Sequence, residues 1–290
     1  MADFKILTDS CCDLPPKLAQ ELELDVFPMT FVLEGREYQH HLDHRKMDNH
    51  KFYEGLRAGA AATTVAVNPA EWTAMARPYL ERGQDILILA FSSGLSTTAN
   101  NARIAANEMS GEFPERKILV VDTLCASMGE GLFCYHVARR RQAGATLEET
   151  CAYAEEIRPQ LCHWFTVDDL HFLKRGGRVS STAAVVGTML QIKPVLHVDE
   201  EGHLIPVSKV RGRRASLNAL VTEMMKTALD PEHQTVFISH GDCPEDAEYV
   251  RKQVAEKLQV RDIRVNPIGP IIGAHSGPGT VALFFLGARR

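Results

Sequence analysis

The sequence predicts an α/β protein with two parts: an N-terminal, Rossmann-like parallel-sheet domain over residues 1–160 and a C-terminal α+β domain over residues 161–290. Two observations lead to this fold class. In the first half, short apolar runs alternate with helix-like stretches, which is typical of a parallel sheet covered on both faces. In the second half, two strand-like runs flank a tight turn, as in a β-hairpin, before helices and closing strands follow.

In the N-terminal part, the apolar runs have the length of buried strands, and the stretches between them have the length of helices. The predicted strands are 4–7, 25–33, 86–91 and 118–121. The predicted helices are 16–23, 48–58, 69–82, 97–109, 128–143 and 147–157. No internal repeat, low-complexity segment or long linker interrupts this order.

The C-terminal part has a different order of elements. The predicted strands are 165–167, 194–198, 204–207, 236–239, 263–266 and 280–286. The predicted helices are 216–227 and 244–258. The segment 199–202 reads Asp-Glu-Glu-Gly and joins the second and third of these strands as a hairpin turn.

Hydroxyl and carboxylate side chains follow three strands of the predicted parallel sheet, in segments 8–10, 91–96 and 122–123. Each segment can cap the helix that comes next. The same positions can also offer converging hydrogen-bond donors to an anion. Ligands of parallel sheets bind at the C-terminal ends of the strands. Three such segments at one edge therefore predict a ligand pocket there.

The composition is that of an ordinary globular protein, with 45% apolar and 24% charged residues. The net charge of -5 gives no general attraction to nucleic acid or to anionic membranes. Arginine clusters within 139–141 and 211–214 are interpreted as solvated faces rather than nucleic-acid sites. No apolar run is long enough to span a bilayer, and the N-terminus does not resemble a signal peptide. We expect a cytoplasmic protein with no nucleic-acid partner.

The cysteines and histidines do not indicate a metal site. There are seven cysteines, an odd number, and no C-x-x-C pair, so we expect reduced thiols rather than a zinc site or a disulfide framework. The one metal-like cluster consists of His40, His41, His44 and His50. Glycine and aspartate residues around it suggest a surface loop, and no Cys or Glu stands at a convincing ligand spacing. We predict no metal ligands.

Three patterns that often mark catalytic or nucleotide sites are absent. The chain has no phosphate loop G-x-x-x-x-G-K-[ST], no dinucleotide fingerprint G-x-G-x-x-G and no nucleophile elbow G-x-S-x-G. Asp9 ends the first predicted strand but lacks the D-x-D pattern of aspartate-nucleophile phosphatases. We therefore expect no cofactor and no complete catalytic site.

Seven segments, in order along nearly the whole chain, resemble motifs of the DegV family. They are 8–15 (T-D-S-C-C-D-L-P), 64–69 (T-V-A-V-N-P), 92–98 (S-S-G-L-S-T-T), 121–129 (V-D-T followed by A-S-M-G), 173–180 (L-K-R-G-G-R-V-S), the hairpin 193–212 (K-P-V-L and K-V-R-G), and 273–280 (G-A-H-S-G-P-G-T). Each match alone is weak, but seven in series are specific.

The resemblance implies a protein that binds a long-chain fatty acid in a tunnel between two α/β domains. It further implies that the fatty acid carboxylate is presented to a separate fatty acid kinase, which makes an acyl-phosphate for phospholipid synthesis. We expect no cofactor and a monomer in the free protein. The fatty-acid contacts that the resemblance implies are Thr64, Ser92, Ser93, Gly273, His275 and Gly277. Arg175 and Arg178 are assigned either to the head group and the kinase or to a solvated turn.

Some residues depart from the family pattern, and two other functions stay open. Thr97 replaces a glycine, Val65 and Ala66 replace polar residues, and the His40–His41 pair replaces an acidic, glycine-containing segment. One alternative function is a hydrolase or phosphotransferase that uses Asp9, Ser93 and His275. The other is a carrier of a different amphiphile that has no kinase partner.

Overall fold

The structure is a computed structural model that describes residues 4–179 and 191–290. Its strands are β1 (Phe4–Asp9), β2 (Asp25–Phe27), β3 (Thr30–Leu33), β4 (Arg36–Gln39), β5 (Ala62–Thr64), β6 (Asp85–Ala90), β7 (Ile118–Asp122), β8 (Leu161–Thr166), β9 (Ile192–Val198), β10 (Leu204–Arg211), β11 (Thr235–His240), β12 (Asp262–Pro267) and β13 (Val281–Leu286). Its α-helices are α1 (Pro16–Glu21), α2 (Asn49–Arg57), α3 (Pro69–Glu81), α4 (Thr98–Glu112), α5 (Met128–Gln142), α6 (Leu147–Ile157), α7 (His171–Arg175), α8 (Arg213–Thr227), α9 (Pro244–Leu258) and α10 (Pro270–Ser276). Ser180, the last residue of the motif 173–180, lies outside the described residues.

The predicted parallel sheet is confirmed. Its strand order is β2-β1-β6-β7, and all three pairings are parallel. The strands β1, β6 and β7 therefore end at one edge of the sheet. The segments that follow them, 10–12, 91–97 and 123–127, lie at that edge, as the hydroxyl-rich strand ends predicted.

The second sheet has six strands in the order β10-β9-β8-β13-β11-β12. It is mixed, because β11 pairs with β12 in parallel and the other pairings are antiparallel. This confirms the α/β fold class with a further sheet after the parallel one. The predicted strand 165–167 is too short, because β8 begins at Leu161 and is buried along its whole length.

The prediction of one strand over residues 25–33 is wrong. Pro28 separates β2, which belongs to the parallel sheet, from β3, which turns into a small sheet of order β4-β3-β5. Proline has no backbone N–H to donate and so cannot continue a strand ladder. The small sheet matters for function because β5 ends at Thr64, one of the predicted contact residues.

Helix α5 packs between the two large sheets. Its buried side chains Leu132, Phe133 and Val137 share one hydrophobic cluster with Ile6 of the parallel sheet and Phe284 of the mixed sheet. The two sheets are therefore joined by a common core rather than by a thin linker. The domain boundary between residues 160 and 161 falls just before β8 and stays a prediction. Within 4–179 and 191–290, no helix has both the length and the hydrophobicity needed to cross a membrane.

The expectation that the histidine cluster lies at the surface is wrong for His40. This residue is only 2% exposed, and its ring stacks on that of His44 at 5.6 Å between centroids. Burial is the main cause that lowers the pKa of His40 to about 3, and the neighbouring His44 and His41 add to it. In the part of the chain that the structure describes, no group of three or more Cys, His, Asp or Glu side chains is arranged to hold a metal ion.

Candidate functional site

A cavity of about 500 Å³ lies between the edge of the parallel sheet and the mixed sheet. This volume is within the usual range of small-molecule sites, about 300–1,000 Å³. Much of its wall is apolar: Met29, Phe91, Leu95, Phe165, Leu173, Val198, Leu204, Ile268, Ile271, Ile272, Ala282 and Phe284. Its polar lining groups include Thr64, Ser93, Ser96, Thr97, Ser127, His163, Arg178, His275, Ser276 and Thr280. Such a cavity suits a ligand with a long apolar part and a small polar part.

Thr64 and His275 meet at the cavity wall, where 2.8 Å separates Thr64 Oγ1 from His275 Nε2. His275 lies on the short helix α10. Pro270 occupies the first turn of this helix, where its missing N–H is not needed. Gly277, with φ of 78°, ends it in a backbone region that favours glycine. The short helix thus fixes the direction of the imidazole.

His275 is held as a neutral imidazole. Burial is the main cause that lowers its pKa to about 4, and the positive charges of Arg178 and Arg175 lower it further. A Cβ placed on Gly176 would collide with His275 Nδ1, so this face of the ring is closed by backbone. A neutral imidazole offers a hydrogen bond to a carboxylate without forming an ion pair.

Ser93 is brought to the cavity by two carboxylates at the strand ends. Asp9 Oδ2 accepts a hydrogen bond from Phe91 N–H at 3.1 Å, and Asp122 Oδ1 accepts one from Ser93 N–H at 3.1 Å. These contacts shape the loop that follows β6, residues 91–97, which we call the serine loop. The exposed Ser93 side chain therefore stands at the cavity mouth.

The structure does not bring Ser92 to the cavity. Its hydroxyl donates to the Gly202 carbonyl oxygen at 2.9 Å and accepts from Gly94 N–H at 3.1 Å. Ser92 is 0% exposed. A Cβ on Gly202 would collide with Ser92 Oγ, so glycine is required in the hairpin turn. Ser92 therefore joins the serine loop to the C-terminal hairpin.

Gly273 and Gly277 are not among the lining residues either. A Cβ on Gly273 would lie 2.5 Å from Tyr53 Oη, and one on Gly277 would lie 2.5 Å from Phe172 Cδ2. Both glycines let α10 pack closely against α2 and α7. They act on the site through the position of His275.

The two predicted arginines have different places. Arg178 is half-buried and lines the cavity, where its Nε donates to the Leu95 carbonyl oxygen at 3.2 Å and its Nη1 donates to the Gly176 carbonyl. Arg175 is exposed, and its guanidinium lies 4.9 Å from the centre of the Phe172 ring. It faces a neighbouring surface groove rather than the cavity. A positive charge therefore stands at the cavity and another just outside it.

The departures from the family pattern do not distort the backbone of the serine loop. Thr97 has φ of -79°, an ordinary right-handed value, so the glycine it replaces is not required there. Thr97 and Ala66 line the cavity, whereas the Val65 side chain is 47% exposed.

Asp9 is not placed to act with Ser93 and His275. Its Oδ1 accepts from Cys11 N–H at 3.0 Å, and its Oδ2 accepts from Phe91 N–H. Burial is the main cause that raises its pKa, and these backbone hydrogen bonds oppose the rise. Asp9 is wholly buried and does not line the cavity. It therefore organises the serine loop.

Four buried polar residues of the cavity wall were not among the predicted contacts: Ser127, His163, Ser276 and Thr280. Ser127 donates to Asp13 Oδ2 at 2.6 Å, and His163 lies on β8 with its Nε2 3.3 Å from Ala126 N. Ser276 follows His275 on α10. Ser127 and Ser276 both lie inside motifs that were recognised, A-S-M-G and G-A-H-S-G-P-G-T. Their position within the motifs was the available signal, whereas nothing in the sequence marked His163.

The fold and the cavity together define a class: an α/β protein with a large, mostly apolar ligand cavity between two sheets. The family model named DegV, described as "Uncharacterised protein, DegV family", matches residues 3–288. A DegV domain-containing protein from Clostridium perfringens is 41% identical over 99% of this chain and 98% of its own length. The chain belongs to the DegV family.

Solved structures agree with this assignment. A structure described as fatty acid binding of a DegV family protein from Thermus thermophilus is 30% identical, with a TM-score of 0.89 over 98% of this chain and 99% of that one. A DegV lipid binding protein from Thermotoga maritima is 29% identical, with a TM-score of 0.84 over 100% of both chains.

Proposed function

We propose that this chain binds one long-chain fatty acid in the cavity and presents the carboxylate to a separate fatty acid kinase, which forms an acyl-phosphate for phospholipid synthesis. The observation that carries the proposal is the combination of a cavity of about 500 Å³ with a mostly apolar wall and the meeting of Thr64 and His275 on that wall. Ser93 and Arg178 belong to the same polar group. The relatives that are described as binding fatty acids or lipids support it.

The apolar wall accounts for affinity. Burial of each methylene group gains about 0.8 kcal/mol, so a long acyl chain gains on the order of 10 kcal/mol before the costs of binding. The head group is held by Thr64, Ser93 and the neutral His275 through hydrogen bonds. It is not trapped in a tight ion pair with these three groups, and Ser93 keeps it at the exposed mouth. A carboxylate in this position can be reached by a second protein.

A separate kinase would explain why the chain has no nucleotide-binding motif and why two arginines lie at or beside the cavity. The chain lacks the nucleotide-binding patterns of phosphate-loop and dinucleotide proteins. Arg178 at the cavity and Arg175 beside it supply positive charge where a phosphoryl group would arrive. We place the protein in the cytoplasm, as a monomer when it is free of the kinase.

Protein purified without detergent is expected to carry a long-chain fatty acid, because a preformed apolar cavity should not stay empty among cellular lipids. Denaturing extraction followed by mass spectrometry identifies the ligand. Recovery of a different amphiphile at full occupancy, in repeated preparations, would favour a carrier of that compound and contradict the fatty acid assignment.

Replacing Thr64, Ser93 or His275 with alanine is expected to reduce acyl-phosphate formation more than lipid affinity. A neutral hydrogen bond contributes only about 0.5–1.5 kcal/mol, so each affinity should fall by about tenfold or less. A small displacement of the reacting oxygen can cost about a hundredfold in rate. Displacement of a fluorescent fatty acid measures affinity, and a coupled assay with the kinase measures turnover.

Ser92→Ala is the matched control for Ser93→Ala. Ser92 is the neighbouring hydroxyl, but it is bound to Gly202 and Gly94 rather than to the cavity. Its loss should lower stability by about 1 kcal/mol and leave the ratio of turnover to affinity unchanged. Equal losses of affinity and turnover in all three head-group variants would make these residues determinants of folding or of the tail pocket.

A further inference from the structure

His275 and Thr64 form a hydrogen bond whose direction decides what Thr64 can offer to a ligand. The two atoms that meet, His275 Nε2 and Thr64 Oγ1, are 2.8 Å apart. A neutral imidazole has its proton on one ring nitrogen only, so either Nε2–H donates to the hydroxyl oxygen or the hydroxyl donates to a bare Nε2. In the first case the Thr64 proton is free, and in the second it is used. The surroundings of the other ring nitrogen, Nδ1, separate the two cases.

The Nδ1 atom of His275 is buried and has no acceptor beside it. No described residue forms a hydrogen bond with this atom. A Cβ on Gly176 would lie 2.3 Å from it, so the backbone at Gly176 covers this side of the ring. In native proteins, buried backbone N–H groups without an acceptor are rarer than buried acceptors without a donor. The same rule favours a bare Nδ1 over a protonated one.

The arginines beside the ring favour the same tautomer. Arg178 Nη1 donates to the Gly176 carbonyl, so its positive charge lies near the Nδ1 side of the ring. Burial, followed by the charges of Arg178 and Arg175, lowers the pKa of His275. A positive charge attracts a nitrogen lone pair and repels the hydrogen of an N–H group. The lone pair of the neutral imidazole therefore belongs on Nδ1 and the proton on Nε2.

We propose that His275 carries its proton on Nε2, donates it to Thr64 Oγ1, and thereby directs the Thr64 hydroxyl proton towards the carboxylate of the bound fatty acid. This inference rests on the proposed binding of a fatty acid. Thr64 and His275 both line the cavity and are both partly exposed. An ionised carboxylate only accepts hydrogen bonds, so it needs a donor at this place. His275 is then a positioning residue, which takes part in holding the head group through Thr64.

The opposite direction of this hydrogen bond would weaken carboxylate binding. The Thr64 proton would then point at His275, and the hydroxyl would present only oxygen lone pairs to the carboxylate. Two acceptors that face each other repel. The tautomer of His275 therefore decides whether Thr64 attracts or repels an ionised head group.

Nitrogen NMR of the whole chain with isotope-labelled histidine tests the tautomer directly. The signals of His275 are identified by their loss in His275→Leu. With palmitic acid bound at about pH 7, His275 is expected to be a neutral imidazole that is protonated on Nε2. A proton on Nδ1, or on both nitrogens, would overturn the inference.

A double-mutant cycle tests whether His275 acts through Thr64. Thr64→Val and His275→Leu are each expected to weaken the binding of palmitic acid by about threefold to tenfold, measured by displacement of a fluorescent fatty acid. The double variant should bind about as weakly as Thr64→Val alone, because His275 then has no hydroxyl to direct. Losses that multiply would show that each residue contacts the carboxylate separately, and they would overturn the inference.

Two conservative variants separate the hydrogen bond from packing. Thr64→Ser keeps the hydroxyl, and His275→Gln keeps an N–H donor, so both should bind palmitic acid within about threefold of the wild type. A loss as large as that of Thr64→Val or His275→Leu would assign the effect to side-chain shape and overturn the inference. Thr64→Ala and His275→Ala replace the apolar variants in the cycle if those do not fold. The absence of palmitic acid binding by the wild type would instead contradict the proposed function.

Discussion

Replacing Asp13 with asparagine is expected to make the protein more stable at about pH 8 and to leave its stability nearly unchanged at about pH 4. Asp13 is 2% exposed. Burial is the main cause that raises its pKa to about 7, against hydrogen bonds from Ser127 and Gly269. The unfolded chain releases this proton near the ordinary pKa of 3.8, whereas the folded protein keeps it until about pH 7.

The sign and size of this change in stability follow from the difference between the folded and unfolded pKa values of Asp13. The stability that Asp13 contributes is fully present below its unfolded pKa and is lost as the pH rises through the folded pKa. A rise of about three pKa units, at about 1.4 kcal/mol each, corresponds to a loss of about 4 kcal/mol in the free energy of unfolding. Asparagine cannot ionise and resembles the protonated carboxyl. Its amide can donate to Ser127 Oγ, and its oxygen can accept from Gly269 N–H.

Urea denaturation of the wild type and Asp13→Asn across this pH range measures the effect. Asp242→Asn is a control of opposite sign. Partial burial raises the pKa of Asp242, but hydrogen bonds from Arg57 and His50 outweigh it and lower the pKa. Asp242→Asn should therefore be less stable than the wild type at neutral pH, and the difference should shrink as the pH falls through the folded pKa of Asp242.

The prediction for Asp13 would be contradicted if Asp13 formed a charged pair with His40, which lies close to it. A Cβ on Gly269 would collide with His40 Nε2 and lie 2.8 Å from Asp13 Oδ1, so both groups flank the same glycine. If Asp13→Asn were less stable than the wild type at about pH 8, Asp13 would be ionised and paired with a protonated His40. The buried pair would then be charged rather than neutral.

The fold class could be predicted because the alternation of apolar runs reports directly on strands buried under helices. The break at Pro28 shows the limit of that pattern. The run 25–33 stays apolar on both sides of the proline, and only tertiary pairing separates the parallel sheet from the small one. Helix α10 was missed for a different reason. Seven residues with Pro270 and Gly273 carry too little periodicity to be distinguished from a loop.

The site could be predicted to the level of segments but not of side-chain direction. Thr64, Ser93, Arg178 and His275 lie together at the cavity as the motifs indicated. Ser92 belongs to the same motif as Ser93, yet its hydroxyl turns into the Gly202 hairpin. Residue type is the same at both positions, and the difference arises from a loop that Asp9 and Asp122 shape from other strands. Such long-range contacts have no local sequence signal.

Replacing Gly131 with alanine is expected to lower the free energy of unfolding by about 2–3 kcal/mol. A Cβ on Gly131 would lie 2.5 Å from the Cys12 carbonyl oxygen and 2.9 Å from Leu14 Cδ2. The carbonyl belongs to the backbone and cannot rotate away, so α5 must move from the turn at Ser10–Cys12. Because α5 packs in the core that the two large sheets share, this movement disturbs packing on both sides.

Gly111→Ala is the matched control, because it adds the same methyl group to a helix at a position with no other atom within 4 Å. Alanine at such a site should raise the free energy of unfolding by about 0.5–1 kcal/mol, since glycine loses more backbone freedom in a helix. Chemical denaturation of both variants beside the wild type measures the two changes. A lower free energy of unfolding in Gly131→Ala together with a higher one in Gly111→Ala would assign the loss to the close approach of Gly131 to Cys12. A stabilising effect of both substitutions would show instead that α5 accommodates the methyl group and that the close approach at Gly131 is not required.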